Sequence, residues 1–141
     1  MINNISKDSS SIHVAIAGLG FGQAVHLPAI QANGIFKPVA LWHPQSERLE
    51  RPCNAHNLLG FNDWSSLINN SNIDAIIIAT PPEPRFELAS KALKAGKHLL
   101  LEKPVALNAE EVAELRRLAI QNNLSVAVDF EYRAVPLFMQ A

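Results

Sequence analysis

Five short segments of this chain are apolar almost without interruption. They are Ile12–Ala17, Pro38–Trp42, Asp74–Thr80, His98–Leu101 and Leu124–Phe130. Gly18 follows the first, and Pro81-Pro82 ends the third. A strand with one wet face alternates apolar and polar residues, whereas a continuous apolar run of strand length needs cover on both faces. Helical patterns fill the gaps. Residues Pro84 to Ala95 place Phe86, Ala89 and Leu93 on one face, and Gly96 is a C-terminal stop. Asn108 is placed to cap a helix with Glu111 three residues on, and that helix carries a stripe of Val112, Leu115, Leu118 and Ala119. Asp63 caps a short helix from Trp64 to Ile68, and a further helical segment runs from 46 to 57, interrupted at Pro52.

Strand and helix in alternation specify an α/β fold, a doubly wound parallel sheet with right-handed crossovers. Ligands of such sheets bind beyond the carboxyl ends of the strands. Chemistry is therefore expected at Gly18–Gly22, His43–Ser46, Thr80–Arg85 and Glu102–Pro104. The first of these is a glycine turn, Gly18-Leu19-Gly20-Phe21-Gly22-Gln23, directly after a strand. Gly18 permits the tight turn, and Gly20 lets backbone approach a pyrophosphate. The usual third glycine falls on Gln23, so Gly22 is expected to supply the close packing one position early. Alone, such a turn also suits a nucleotide-free α/β domain. At the end of the second run, where an acid would hold the ribose 2′-OH of NAD, the sequence reads Trp42-His43-Pro44-Gln45-Ser46. His43, Ser46 and Arg48 point instead toward a 2′-phosphate, although His43 equally suits a plain strand end. The cofactor is expected to be NAD or NADP, with these residues favouring NADP.

Composition removes several alternatives. With 12 basic and 13 acidic residues and a net charge of -1, there is no basic track for nucleic acid. No apolar run nears the roughly 20 residues of a membrane span. The single cysteine, Cys53, cannot form an internal disulfide and lacks the partners of a thiolate metal site or a nucleophilic centre, so no metal is expected. Residues 1–11 are polar and lack a signal peptide's apolar stretch, so they are read as a leader of a cytoplasmic protein.

The run Ile73–Pro81, the segment Ala92-Leu93-Lys94-Ala95-Gly96-Lys97-His98, and Leu101-Glu102-Lys103-Pro104 together resemble the glucose-fructose oxidoreductase / inositol 2-dehydrogenase / rhizopine-catabolism (Gfo/Idh/MocA) family. The glycine turn followed by His26-Leu27-Pro28 is similar to that family too. The resemblance implies a Rossmann-like dinucleotide-binding domain over residues 12–130. It implies cofactor contacts from Gly18, Leu19, Gly20, Phe21, Gly22, Ala79, Thr80, Pro81, Glu102 and Lys103, and a cis Lys103–Pro104 bond. It makes Lys103 the catalytic residue, an ammonium that stabilises alkoxide charge, or a proton relay if its pKa is lowered. Without the resemblance, Glu102 and Lys103 would read as an exposed ion pair. Arg85 stands where the family commonly has His; it is expected either to contact cofactor or substrate or to be a solvated helix start.

The family activity implied is hydride transfer between nicotinamide and a sugar, cyclitol or related small alcohol or carbonyl compound. Family members continue into a second domain that forms the substrate wall and the dimer surface. Residues 131–141 read as the start of a linker toward it. The chain is accordingly expected to be a truncated half, inactive alone and oligomeric only with that domain. A non-catalytic dinucleotide-binding regulatory module is the alternative.

Overall fold

The computed structural model describes residues 11–134. Most of the expected leader and the greater part of the expected linker lie outside them. Strands β1 (Ile12–Ala17), β2 (Phe36–Trp42), β3 (Leu59–Phe61), β4 (Ala75–Ile78), β5 (His98–Glu102) and β6 (Val126–Asp129) form one sheet in the order β3-β2-β1-β4-β5-β6. Every pairing is parallel. The chain builds outward from β1 to β3, then returns to lay β4 beside β1 and builds the other way. The reversal leaves a crevice at the carboxyl ends of β1 and β4, the topological switch point of a doubly wound sheet.

Helices α1 (Leu27–Ala32), α2 (Glu50–His56), α3 (Trp64–Ile68), α4 (Pro82–Lys94) and α5 (Ala109–Gln121) complete the layers. Alternate residues of each central strand enter different cores, which explains the continuous apolar runs. Ala15, Ala17, Ile76, Ile78, Leu99 and Leu101 pack with residues of α3, α4 and α5. Val14, Ile16, Leu41 and Ile77 pack with Leu27 and Cys53 of α1 and α2. Burial raises the Cys53 thiol above its ordinary range, which leaves little thiolate to act as a nucleophile.

Local signals set the helix ends. Asp63 accepts from the Ser66 amide at 2.6 Å and Asn108 from the Glu111 amide at 2.8 Å. Glu111 reaches back to the amide of Leu107 at 3.0 Å, one residue before the cap. Gly96, with φ of +79°, closes α4 in a Schellman motif: its own amide reaches Leu93 and that of Lys97 reaches Ala92. The Lys97 amine is buried and donates to the carbonyls of Asn70 and Ile73 at 2.8 and 2.7 Å. This lysine of the Ala-Gly-Lys-His segment thus pins the α4–β5 corner to the segment entering β4.

Three expectations need correction. Pro52 does not break α2, because it is the third helical residue, where no intrahelical amide partner is needed. Val112 is exposed, and the buried stripe of α5 is Leu115, Leu118 and Ala119. Strand β3, at the sheet edge beside β2, was not anticipated.

Candidate functional site

The carboxyl ends of β1, β2, β4 and β5 converge on a cavity of about 860 Å3, within the range of small-molecule and cofactor sites. Its first wall is the glycine turn. Gly18 has φ of +107°, and a Cβ there would lie 2.5 Å from the Ala79 carbonyl oxygen. Only glycine lets β1 turn against β4 so closely. A Cβ on Gly20 would meet nothing within 4 Å; this position faces the cavity with room for a ligand. Gly22 does not line the cavity: a Cβ there would stand 2.8 Å from the Ile16 side chain. The turn runs into a π-helical segment, Gly22–His26, and then α1. Leu19 and Phe21 line the cavity beside Gly18 and Gly20.

The second wall comes from the end of β2. Trp42, His43, Pro44 and Arg48 line it, while Ser46 is not among the lining residues. Arg48 donates to His43 Nε2 at 3.0 Å. Among the described residues, no carboxylate lines the cavity at this end. Trp42 packs edge-on against Trp64 with ring centroids 5.0 Å apart, and the Trp64 indole donates to the Leu88 carbonyl.

The third wall is the β4–α4 turn, with Ala79, Thr80, Pro81, Pro84 and Arg85. Arg85 is 3% exposed, so it is not a solvated helix start. Its guanidinium donates to the carbonyls of Thr80, Glu102 and Pro104, the Glu102 bond at 2.7 Å. One planar fork therefore ties the end of β4 to both residues flanking Lys103. Burial pulls Arg85 below the usual arginine range, opposed by the charges of Glu102 and Glu83. Among the described residues Nε has no partner, while Nη1 and Nη2 both donate to backbone. A sequence signal for this burial existed. Arg85, Leu88, Ala89 and Ala92 fall at i, i+3, i+4 and i+7, the core stripe of α4.

The floor holds Glu102 and Lys103, which do not pair with each other. The Glu102 side chain is buried and meets His26 Nε2 at 2.8 Å. Asp129, in register with Glu102 across β5 and β6, stands 3.7 Å from the same nitrogen. Burial first, and then the charge of Glu102, push the Asp129 carboxyl above its ordinary range. His26, Glu102 and Asp129 place one ligand atom each within 4.8 Å of one another. No such grouping was visible in the sequence, because the three are separated by 76 and 27 positions (102 − 26 and 129 − 102). Phe21 covers His26 edge-on at 5.3 Å. Lys103 turns outward to Glu131 at 3.1 Å. The Glu131 carboxylate, accepting from it, holds the Lys103 ammonium above the usual lysine range. The arrangement suits a charged donor, and opposes the alternative of a lysine with lowered pKa. The Lys103–Pro104 bond is cis.

Residues 12–130 match the model of the family described as "Oxidoreductase family, NAD-binding Rossmann fold". The chain belongs to this Gfo/Idh/MocA family. An uncharacterized oxidoreductase of Synechocystis sp. is 40% identical over 129 residues, covering 91% of this chain and 35% of its own length. Levoglucosan dehydrogenase of Pseudarthrobacter phenanthrenivorans is 31% identical over 140 residues, covering 89% and 35%. Among solved structures, a 3-ketoreductase from Actinomadura kijaniata in complex with NADP and TDP-benzene superposes with a TM-score of 0.88. At 24% identity, over 92% of this chain and 40% of that one, the likeness shows the Rossmann fold. The chain thus spans about a third of the length of these curated Gfo/Idh/MocA relatives. Among the described residues, no helix is long and apolar enough to cross a membrane.

Proposed function

We propose that this chain is the dinucleotide-binding half of an oxidoreductase acting on a sugar, cyclitol or related small alcohol or carbonyl compound. The observation that carries the reading is the single cavity joining the Gly18–Phe21 turn to Thr80, Glu102 and Lys103. The residues present fit the cofactor. Gly20 leaves open the approach a pyrophosphate requires. Arg48 and His43 offer a cation and an imidazole where the 2′ substituent of the adenosine ribose belongs, and among the described residues no carboxylate lines that end of the cavity. NADP is therefore the favoured form. Ala79, Thr80 and Pro81 would line the nicotinamide-ribose half.

The bound dinucleotide supplies the hydride chemistry; the protein supplies orientation and charge. Lys103, kept charged by Glu131, would stabilise negative charge developing on the substrate oxygen. The relative named levoglucosan dehydrogenase supports a carbohydrate-type substrate. We place the substrate wall, and any subunit contact that depends on it, in the portion of the longer relatives that this chain does not match. The domain over residues 12–130 then contributes the cofactor half of the site. A cytoplasmic location belongs to the same reading and rests on the lone Cys53.

The experiment is calorimetric titration of the 141-residue chain with NADPH and with NADH. Binding with preference for NADPH is expected. A folded chain that binds neither overturns the reading. In a version completed by a substrate domain from a relative, Lys103→Met should lower turnover and spare cofactor affinity.

A further inference from the structure

We propose that Glu102 makes this cleft discriminate between the oxidation states of its dinucleotide, favouring the oxidised form. The inference rests on the dinucleotide reading above and deepens it. The oxidised nicotinamide ring carries a positive charge and the reduced ring is neutral, while the remainder of the two molecules is the same. Contacts to phosphate, ribose and adenine therefore treat both alike. Only a charge fixed near the ring separates them.

The geometry locates that charge. In a doubly wound sheet the second strand serves the adenosine ribose, so His43 and Arg48 mark the adenosine end of the cavity. The nicotinamide end lies opposite, at β4 and β5. There, Glu102 is the one carboxylate among the described residues lining the cavity. It is 7% exposed, so water screens it far less than a surface carboxylate. It is also immobilised. His26, itself buried, holds the side chain at 2.8 Å, and Arg85 holds the backbone carbonyl at 2.7 Å.

Cations also face this end. Arg85 keeps its full charge while bonded to three neutral carbonyls and attracts Glu102, so it offsets part of the Glu102 field; it is retained in every variant below. Lys103 is half exposed and directed to Glu131. His26 and Asp129 complete the buried group, with Glu83 on α4 farther out. Glu102→Gln leaves Arg85, Lys103 and His26 in place but also eases ionisation of Asp129, whose carboxyl the Glu102 charge holds up, so the ratio is read in both wild-type and Asp129→Asn backgrounds, the second reporting the Glu102 charge alone. Favouring the oxidised form also makes the bound reduced form a stronger hydride donor, by linkage.

The test is the ratio of dissociation constants for NADP+ and NADPH, measured by calorimetry on the 141-residue chain. Glu102→Gln keeps the shape and an acceptor for His26 while removing the charge. It should weaken the oxidised form relative to the reduced by about fivefold. The NAD+ and NADH pair, carrying the same rings, should shift equally. Glu102→Asp, which retains the charge, should keep most of the wild-type ratio. A purely structural role would weaken both oxidation states by one common factor, so an unchanged ratio in Glu102→Gln overturns the inference, as does a shift toward the oxidised form. Glu102→Met, of similar volume, reads the same charge if the Gln variant does not fold. Wild-type chain that binds neither oxidation state removes the dinucleotide reading and this inference with it, a result distinct from binding with an unmoved ratio.

Discussion

The Arg85 guanidinium donates to the carbonyl of Glu102 at 2.7 Å, seventeen residues away along the chain. The same fork reaches Thr80 and Pro104, so the first turn of α4 and the segment around Lys103 are one mechanical unit. Arg85→Met would leave three carbonyls without their donor in a buried setting. It should lower unfolding free energy by about 3 kcal/mol. Arg85→Lys keeps a charge without the planar fork and should lose an intermediate amount. Urea denaturation of the three proteins decides; equal midpoints would remove the clamp from the account of stability.

Gly18 and Gly20 are two residues apart and should fail in different ways. Gly18→Ala forces a Cβ against the Ala79 carbonyl from a positive φ, and should cost the fold about 2 to 4 kcal/mol. Gly20→Ala meets no protein atom within 4 Å. It should leave the melting temperature near wild type and weaken dinucleotide binding by about tenfold or more, because the methyl occupies the ligand's approach. Thermal melts paired with a binding titration separate the two. A Gly20 variant that binds normally would place the pyrophosphate elsewhere.

What the sequence disclosed and what it hid divide along physical lines. The runs now in β1, β4 and β5 were legible because central strands are covered on both faces. Asp63 and Asn108 were legible because capping is local. Strand β3 was not, since Leu59-Gly60-Phe61 is three residues at an edge with no apolar run. The helix opening at Gly22 was not delimited either, as it starts in π geometry with no side-chain cap. In the cleft, the glycine turn and the Glu102-Lys103 pair followed from motif and strand-end position. Their partners did not. Asp129 meets His26 only because β6 lies beside β5, which is tertiary information. Arg85 differs: its place on the core stripe of α4 was readable, yet its charge suggested either a ligand contact or a solvated helix start, and neither of these anticipates a clamp on three backbone carbonyls.

Arg48 and Ser46 test the preference for a 2′-phosphate. Arg48 lines the cavity and Ser46 does not. Arg48→Ala should weaken NADPH by about tenfold and change NADH by less than about twofold, a charge-assisted contact to phosphate being the term removed. Ser46→Ala should change neither. The NADPH loss should also shrink at high salt, because the pair is open to solvent. Equal loss for both cofactors would make Arg48 a wall of the cleft with no role in choosing between them.

Asp129 gives a prediction whose sign runs against intuition for a carboxylate beside a histidine. Its folded pKa is raised, by burial first and by the charge of Glu102 second. The folded protein therefore prefers Asp129 protonated. Below the unfolded value, about 3.9 for aspartate, the group is protonated in both states and contributes nothing. As pH rises through the unfolded and then the folded value, ionisation costs the native state more than the unfolded chain, and the full cost persists at neutral pH. Asp129→Asn removes that cost while keeping the shape. The variant should gain stability relative to wild type on going from about pH 3 to about pH 7, followed by urea denaturation at each pH. A gain that runs the other way would mean that attraction to His26 outweighs burial and the repulsion from Glu102, and that Asp129 is ionised in the native group at a lower pH than in the unfolded chain.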